Sequence, residues 1–313
     1  MRIAVAGSGQ LATGIMDALR ESSHQVVAVV LNGRVTKGVF RRILPMYMGV
    51  LGGGRTTPGY AYRAGLPVVW IDRMAEDLEP LRAFAPDVLL VAGFSVILKR
   101  PILDLPRIGC VNVHSSLLPK HRGPNPFCWA LLDGDRRAGV TFHIMDEGID
   151  TGDIIEQVAF DIEPDDTALD VYNRASAAAA DRIVEVMDRV ESEGLRGTPQ
   201  DPAVASYDRK LTAEDAFIDW SQPAVEIARR ARAFYPMLLP RFRFRGRIVR
   251  LSRFWCDESL ADAAPGTALN RRRPIRVATG RGVFVVDLAH SARPLPWLWP
   301  APWTRPRLGE KLE

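Results

Sequence analysis

Two polar side chains stand close together in an otherwise apolar run, GCVNVH, at residues 109–114. The run has the composition of a β-strand, and successive side chains of a strand point to opposite faces, so Asn112 and His114 share one face. A second strand pattern ends at the loop 146–153, which carries four carboxylates, Asp150 among them. An amide, an imidazole and a carboxylate are therefore predicted to meet at strand ends, where they can stabilise an oxyanion and move a proton.

These residues belong to a set of linked motifs that resembles the folate-dependent formyltransferase family, which includes methionyl-tRNA formyltransferases and N-formyltransferases of small amines and sugars. The resemblance extends over nearly the whole chain and is strongest over residues 87–160. Asp150 follows His114 by 36 residues. The motifs, in fixed order, are Asn112 with His114, SLLP (116–119), RG (122–123), GVT (139–141) and DEGIDTGD (146–153).

The resemblance implies transfer of the formyl group of 10-formyltetrahydrofolate, the co-substrate, to a primary amine through a tetrahedral intermediate. Asn112 and His114 would stabilise the developing oxyanion, and Asp150 would transfer protons directly or through water. The three residue types suit these roles independently of the resemblance. No metal is expected, and no serine or cysteine stands in a convincing nucleophilic triad.

The resemblance also assigns a folate pocket. The stretch VAGFSVIL at 91–98 is similar to the family's strand and loop whose backbone groups recognise the pterin ring, and the DEGID loop would bracket the ring from the other side. The predicted folate-binding residues are Phe94, Val96, Ile97, Leu98, Leu118, Pro119, Asp146, Glu147 and Gly148.

A glycine loop, GSGQLA at 7–12, follows the first predicted strand with the G-x-G-x-x-A spacing of a dinucleotide-binding turn. The acidic residue that would hold a ribose is missing from the end of the second strand, which argues against NAD. The loop suits the phosphate or carboxylate of another ligand, and a tight turn without a ligand explains it equally well. On the first interpretation Gly7, Gly9 and Gln10 bind the acceptor.

The acceptor has two competing interpretations. Residues 206–313 contain 20 Lys/Arg and 11 Asp/Glu, a net charge of +9 against −5 for residues 1–205, and the run RFRFRGRIVRL at 241–251 would present a basic strand face to the phosphates of tRNA. Yet the G-T-P start and the basic glycine-containing loop of methionyl-tRNA formyltransferases are replaced here by GSGQLA and by a different sequence over 32–62. We therefore favour a small amine, such as an amino sugar nucleotide or an amino-acid derivative, over tRNA.

Two further classes use the same architecture. A 10-formyltetrahydrofolate hydrolase would replace the amine by water, and a catalytically silent module would keep only the folate pocket. Both are less favoured than transfer to an amine, and the retained Asn112, His114 and Asp150 argue against the silent module. Formyl release without an added amine would support the hydrolase.

The elements that would position these residues alternate between short apolar strands and helical patterns, which is typical of parallel βαβ units. The expected fold is α/β, with a Rossmann-like, doubly wound, mostly parallel sheet followed by a small OB-like β-barrel domain. We expect a catalytic, folate-binding domain at 1–196, a linker at 197–206 and the β-rich domain at 207–313. Strands are predicted at 2–6, 25–31, 67–71, 87–92, 109–114, 141–145, 153–162 and 241–251, and helices at 10–21 and 74–85 and from a cap at 166 or 167 to 193.

Composition narrows the remaining possibilities. No apolar run approaches the roughly 20 residues of a membrane helix, and the N-terminus shows no signal peptide, so a cytoplasmic enzyme without a membrane partner is expected. The three cysteines form no CxxC pair, which argues against a zinc knuckle.

Histidines other than His114 are expected to be structural. The segment 40–62, a lid or a plain excursion, and the aromatic run WLWPAPW (297–303), a packing anchor or a stacking platform, stay open.

Overall fold

The computed structural model describes residues 1–33, 38–51, 56–71, 78–257, 259–291 and 306–313. The chain divides into two compact units. The first comprises Met1–Pro126, Arg137–Asp161 and Tyr172–Arg209, and the second comprises Phe127–Arg136, Ile162–Val171 and Lys210–Glu313. The predicted linker 197–206 falls within the first unit, and the domain boundaries drawn from the sequence stay predictions.

A seven-stranded sheet forms the centre of the first unit. Its strands are β1 (Arg2–Gly7), β2 (Gln25–Asn32), β3 (Val68–Ile71), β4 (Val88–Ala92), β5 (Gly109–His114), β6 (Arg137–Ile144) and β7 (Ile154–Asp161). Their order is β3-β2-β1-β4-β5-β6-β7, with parallel neighbours from β3 to β5 and antiparallel pairing of β6 and β7. The predicted doubly wound, mostly parallel sheet is confirmed.

Eight α-helices lie in the described residues. They are α1 (Gly9–Arg20), α2 (Phe40–Leu51), α3 (Thr57–Arg63), α4 (Glu79–Arg82), α5 (Arg100–Leu103), α6 (Pro126–Asp133), α7 (Ala168–Glu193) and α8 (Ala224–Phe234). The predicted cap of α7 is confirmed, because Thr167 N donates to Asp170 Oδ2 at 2.9 Å while Asp170 N donates to Thr167 Oγ1 at 3.4 Å. The segment 40–62 shows no clear period in sequence, yet it contains the whole of α2 and most of α3.

Alternate side chains of the central strands enter two apolar clusters, one on each face of the sheet. Ile3 and Val5 of β1 share a cluster with residues of α1, whereas Ala4 and Ala6 belong to the opposite cluster. Strand β5 alternates in the same way, with Val111 and Val113 in the α1 cluster and Cys110 in the other. Asn112 and His114 therefore share the face of Cys110, as the two-residue period predicts.

The second unit contains an antiparallel sheet of order β10-β11-β9-β8, consistent with the predicted small barrel domain. Its strands are β8 (Arg241–Phe244), β9 (Arg247–Asp257), β10 (Ile275–Ala278) and β11 (Val283–Ser291). The continuous strand predicted over 241–251 is wrong, because Arg245 and Gly246 take φ values of 49° and 69° and reverse the chain. Two consecutive residues with positive φ make the tight turn of a β-hairpin.

Some sequence predictions fall outside the described residues. They are the aromatic run 297–303 and the first part of the helix expected at 74–85. Within the described part of the chain, no helix combines the length and the apolar character needed to cross a membrane.

Candidate active site

Three loops leave neighbouring strands at one edge of the first unit's sheet. Gly7 at the end of β1 pairs with Ala92 at the end of β4, and Ala92 pairs with Val113 of β5. The sheet order reverses direction between β1 and β4, and in doubly wound folds ligands bind beyond the carboxyl ends of the strands at such a point. The glycine loop, the loop 93–98 and the Asn112–His114 pair therefore open onto one region.

The predicted catalytic trio meets at one carboxylate oxygen, Asp150 Oδ1. Asn112 Nδ2 donates a hydrogen bond to it at 3.1 Å, and His114 Nδ1 lies 3.6 Å from it. All three residues are buried or half-buried. The structure thus brings together the three side chains that the sequence singles out, and their catalytic roles stay predictions.

The backbone of Asp150 is held in an unusual conformation. Its φ of 53° lies in the left-handed region, which costs a non-glycine residue roughly 1–2 kcal/mol. Gly123 N donates to Asp150 Oδ2 at 2.8 Å, and Gln200 Nε2 donates to Asp150 O at 2.9 Å and to Gly152 O at 2.7 Å. These contacts fix the carboxylate in place and compensate for the strain.

The hydrogen bonds of His114 define which ring nitrogen carries a proton. Nε2 lies 2.8 Å from His121 O, and because a carbonyl only accepts, Nε2 is the protonated nitrogen. Burial lowers the pKa of His114 from its ordinary value, although Asp150 opposes this shift. At neutral pH the ring therefore rests uncharged, with the lone pair of Nδ1 on the side of Asp150.

Asp150 rests ionised beside this neutral ring. Burial raises the pKa of its carboxyl group, but His114, His143 and the N–H of Gly123 outweigh burial and bring the pKa to about 2. Once Asp150 has taken up a proton, the unprotonated Nδ1 of His114, 3.6 Å away, can receive it.

His143 is a site residue that the sequence reasoning missed. Its Nδ1 donates to Ile144 O at 2.9 Å, so its Nε2 is free to accept from Asn112 Nδ2 at 3.0 Å. Both amide hydrogens of Asn112 are then engaged, one by His143 and one by Asp150. Asn112 must release one of these contacts before it can donate to an oxyanion.

A stretch from Thr198 to Asp208, here called the strap, holds the loop that follows β5. His121 N donates to Ser206 Oγ at 2.7 Å, and the His121 ring pairs with Asp208 Oδ2 at 2.7 Å. Ser206 O accepts from Arg122 N at 3.0 Å, and Asp208 N donates to Arg122 O at 2.8 Å. Because His121 O fixes the protonated nitrogen of His114, the strap supports the His114 imidazole although it lies far from it in sequence.

Most of the predicted folate-binding residues lie in two loops, 93–98 and the DEGID loop, that the structure brings together. Phe94, Val96 and Leu98 pack against the same apolar cluster as Met145, which directly precedes the DEGID loop. Arg100, the first residue of α5, forms an ion pair with Glu147 of the DEGID loop at 3.4 Å. Ile97 is 55% exposed, so an apolar surface is available beside this pair.

The remaining folate predictions belong to the turn after β5 and to the start of the DEGID loop. Leu118 is buried and joins Pro119 through a cis peptide bond. Asp146 Oδ1 accepts from Gly148 N at 2.9 Å and from Thr151 Oγ1 at 2.7 Å, which closes the loop on itself. Ligand binding by these residues stays a prediction.

The glycine loop packs tightly against its surroundings. A Cβ atom on Gly7 would lie 2.0 Å from Ala92 O, and Gly9 has a φ of 78°. Tyr172 Oη accepts from Leu11 N at 3.3 Å and so occupies one N–H of the α1 N-terminus. Gly7 thus has a packing role, while Gln10 is exposed and the predicted acceptor contact of this loop stays a prediction.

Known proteins resemble the chain across both units. Residues 72–187 match the family described as formyl transferase, and residues 210–293 match the formyl transferase C-terminal domain. A methionyl-tRNA formyltransferase from Coxiella burnetii is 34% identical over 287 residues, covering 91% of this chain and 88% of that protein. One from Agathobacter rectalis is 34% identical over 289 residues, covering 91% and 90%. An N-formyltransferase from Helicobacter canadensis, in complex with folinic acid and dTDP-3-aminofucose, has a similar fold with a TM-score of 0.68 and 19% identity, covering 92% of this chain and 99% of that one.

Proposed function

The chain belongs to the formyl transferase family, and we propose that it transfers the formyl group of 10-formyltetrahydrofolate to the primary amine of a small acceptor. The observation that carries the proposal is the convergence of Asn112, His114 and Asp150 on one point at the carboxyl edge of the sheet. An amide donor, an imidazole and an ionised carboxylate are the groups that formyl transfer to an amine needs.

The geometry supports a separate role for each of these side chains. Attack of the amine forms an N–C bond and converts the formyl oxygen into an oxyanion, to which Asn112 Nδ2 donates. The positively charged amine gives its proton to Asp150, and His114 Nδ1 receives it from there and becomes a second donor. Cleavage of the bond from carbon to N10 of the folate returns that proton to N10, which releases tetrahydrofolate and the formylated amine.

A small acceptor is favoured by the ion pairing of the second unit. Three arginines on or beside the antiparallel sheet lie close to carboxylates: Arg245 contacts Glu310 at 2.7 Å, Arg253 contacts Asp287 at 3.2 Å and Arg276 contacts Asp257 at 2.7 Å. These pairs reduce the positive potential that a row of phosphates would meet. Three of the arginines in this half of the chain are therefore engaged by carboxylates and are less available to phosphates.

Methionyl-tRNA is the second candidate acceptor. The curated relatives that match the chain nearly end to end are methionyl-tRNA formyltransferases, and Arg243 and Arg247 remain exposed on the β8–β9 hairpin. Comparing charged initiator tRNA with a panel of primary amines, and weighing the products by mass spectrometry, distinguishes the two candidates. Formyl release with no amine present would instead indicate hydrolysis.

Folate binding is testable without knowledge of the acceptor. Saturating 5-formyltetrahydrofolate is expected to raise the melting temperature, because a ligand at a hundredfold excess over its Kd stabilises the folded state by about 2.7 kcal/mol. Differential scanning fluorimetry measures the shift, with free p-aminobenzoylglutamate as the control that lacks the pterin. An unchanged melting temperature at saturating 5-formyltetrahydrofolate would count against the proposed function.

The nature of the acceptor determines how its KM responds when positive charge is removed from the β8–β9 hairpin. With a small amine as substrate, replacing Arg243, Arg245 and Arg247 by Ala is expected to leave the acceptor KM within about twofold at 50 and 200 mM salt, since no phosphate contacts are lost. Steady-state kinetics at both salt concentrations measure this. Efficient formylation of methionyl-tRNA that the triple variant abolishes would overturn the prediction and establish the tRNA alternative.

A further inference from the structure

A cavity of about 400 Å³ opens beside Asp150 in the first unit. Ile149 and Thr151, which flank Asp150 in the chain, form one part of its wall, and strap residues form another part. A volume of this size suits a compact ligand. The residues that line it are Arg122, Ile149, Thr151, Ala205, Ser206 and Tyr207.

Arg122 brings a positive charge into this cavity, and no carboxylate of the described part of the chain forms an ion pair with it. Among the described residues its guanidinium group has a neutral amide as its side-chain partner, since Nε and Nη2 donate to Gln200 Oε1 at 3.1 Å and 2.7 Å. Gln200 orients the guanidinium plane and leaves its charge available. An arginine held in this way is suited to bind a carboxylate or a phosphate group.

Gln200 also connects Arg122 to the catalytic carboxylate. Its Nε2 donates to the backbone oxygens of Asp150 and Gly152, while its Oε1 accepts from Arg122. One amide therefore fixes the distance between the cationic group and Asp150. Tyr207, which is 59% exposed, offers an aromatic face on the same cavity.

We propose that this cavity is the acceptor subsite, with Arg122 binding an anionic group of the amine substrate and Tyr207 packing against its carbon skeleton. The inference rests on the proposed formyl transfer and names the chemistry of its acceptor, a primary amine that carries a phosphate or a carboxylate. Gln200 is a positioning residue that sets the anion at a fixed distance from the proton acceptor Asp150.

The test uses pairs of amines that differ in an anionic group. Galactosamine 1-phosphate against galactosamine is the phosphate arm, and ornithine against putrescine is the carboxylate arm. With enzyme saturated by 5-formyltetrahydrofolate, the anionic member of at least one pair is expected to raise the melting temperature further, and its neutral partner is not. The arm that responds identifies the anion.

Variants of Arg122 test whether the anion-dependent rise in melting temperature depends on the proposed contact. Arg122→Ala is expected to abolish the anion-dependent shift and to raise the acceptor KM about tenfold or more, the effect of losing a charge-assisted hydrogen bond, with kcat changed little. Arg122→Lys retains part of the shift, and the exposed Arg63→Ala is the control that behaves as wild type. The melting shift with 5-formyltetrahydrofolate alone stays intact in all variants.

The outcomes distinguish a failure of the proposed acceptor subsite from a failure of the proposed formyl transfer. Absence of an anion-dependent shift in the wild type, or its persistence in Arg122→Ala, overturns the subsite while leaving formyl transfer standing. Absence of the 5-formyltetrahydrofolate shift in the wild type overturns the proposed function itself.

Discussion

Replacing Asn112, His114 or Asp150 one at a time is expected to lower kcat by about 100- to 1000-fold, the usual effect of removing one oxyanion donor or one acid–base group. The variants are Asn112→Ala, His114→Ala and Asp150→Asn. Asp150→Asn keeps an oxygen that can accept from Gly123 N but removes the negative charge that receives the proton. Single-turnover formyl transfer measures the chemical step directly.

Measurements of folding and folate binding distinguish a variant that has lost catalysis from one that has lost its structure. Each variant is expected to keep the melting shift with 5-formyltetrahydrofolate, because the predicted folate contacts lie in other residues of the two loops. The exposed Asp165→Asn is the control and should turn over as the wild type does. A near-normal kcat in Asp150→Asn would contradict the proton-transfer role assigned to Asp150.

The three side chains form one hydrogen-bonded group, so their effects are not expected to add. Asn112 Nδ2 and His114 Nδ1 both face Asp150 Oδ1, and removing the carboxylate disturbs both. The double variant of Asn112 and Asp150 should therefore lose less activity than the two single losses multiplied together. A fully multiplicative loss would show that the two residues act independently.

Local patterns predicted the faces of β5 correctly, because the two-residue period of a strand depends only on chain geometry. Asn112 and His114 could thus be placed together before any tertiary contact was known. His143 could not be placed with them in the same way. It faces Asn112 only through the antiparallel register of β5 and β6, and the sequence does not specify which residues of two strands lie opposite each other.

The strap illustrates a second limit of sequence reasoning. Residues 197–206 combine glycine, proline and small polar residues without a period, which predicts a linker. In the structure Gln200 and Ser206 of this segment make hydrogen bonds to Asp150 and His121, a role that the linker prediction does not include. A polar segment whose partners lie about 50 to 85 residues away shows no local signal of its role, although loops often carry such functional contacts.

Charge patterns in the second unit were informative only in part. The sequence predicts one long strand with a basic face, but the Arg245–Gly246 turn divides the arginines between two strands. Arg245 then pairs with Glu310, 65 residues later. The sequence gives the number of arginines, but it does not show which of them form ion pairs with carboxylates after folding.

The glycine loop 7–12 admits a binding role and a packing role, and the structure gives the packing role a physical cause. Gly7 pairs with Ala92 at the end of the parallel neighbour β4, and Ala92 O lies 2.0 Å from the position that a Cβ atom of residue 7 would take. Ser8 next to it donates from its backbone N to Ala92 O at 3.2 Å and from Oγ to Gly93 O at 2.9 Å. The loop therefore supports the start of the predicted folate loop at 93–98.

Gly7→Ala is accordingly expected to destabilise the fold by about 3 kcal/mol or more, because a Cβ atom 2.0 Å from a backbone oxygen forces two central strands apart. The melting temperature should fall by roughly 10 °C, and the folate-dependent shift should shrink as the start of the loop 93–98 moves.

Gly14→Ala is the matched control on α1. Its Cβ would meet Ala180 Cβ at 3.6 Å, which is an ordinary contact. Its free energy of unfolding is expected to rise by about 0.5–1 kcal/mol, because alanine reduces the freedom of the unfolded chain. Urea unfolding of both variants measures the difference. If Gly7→Ala were as stable as the wild type but had lost acceptor binding, the packing role would be wrong and Gly7 would instead be a ligand contact.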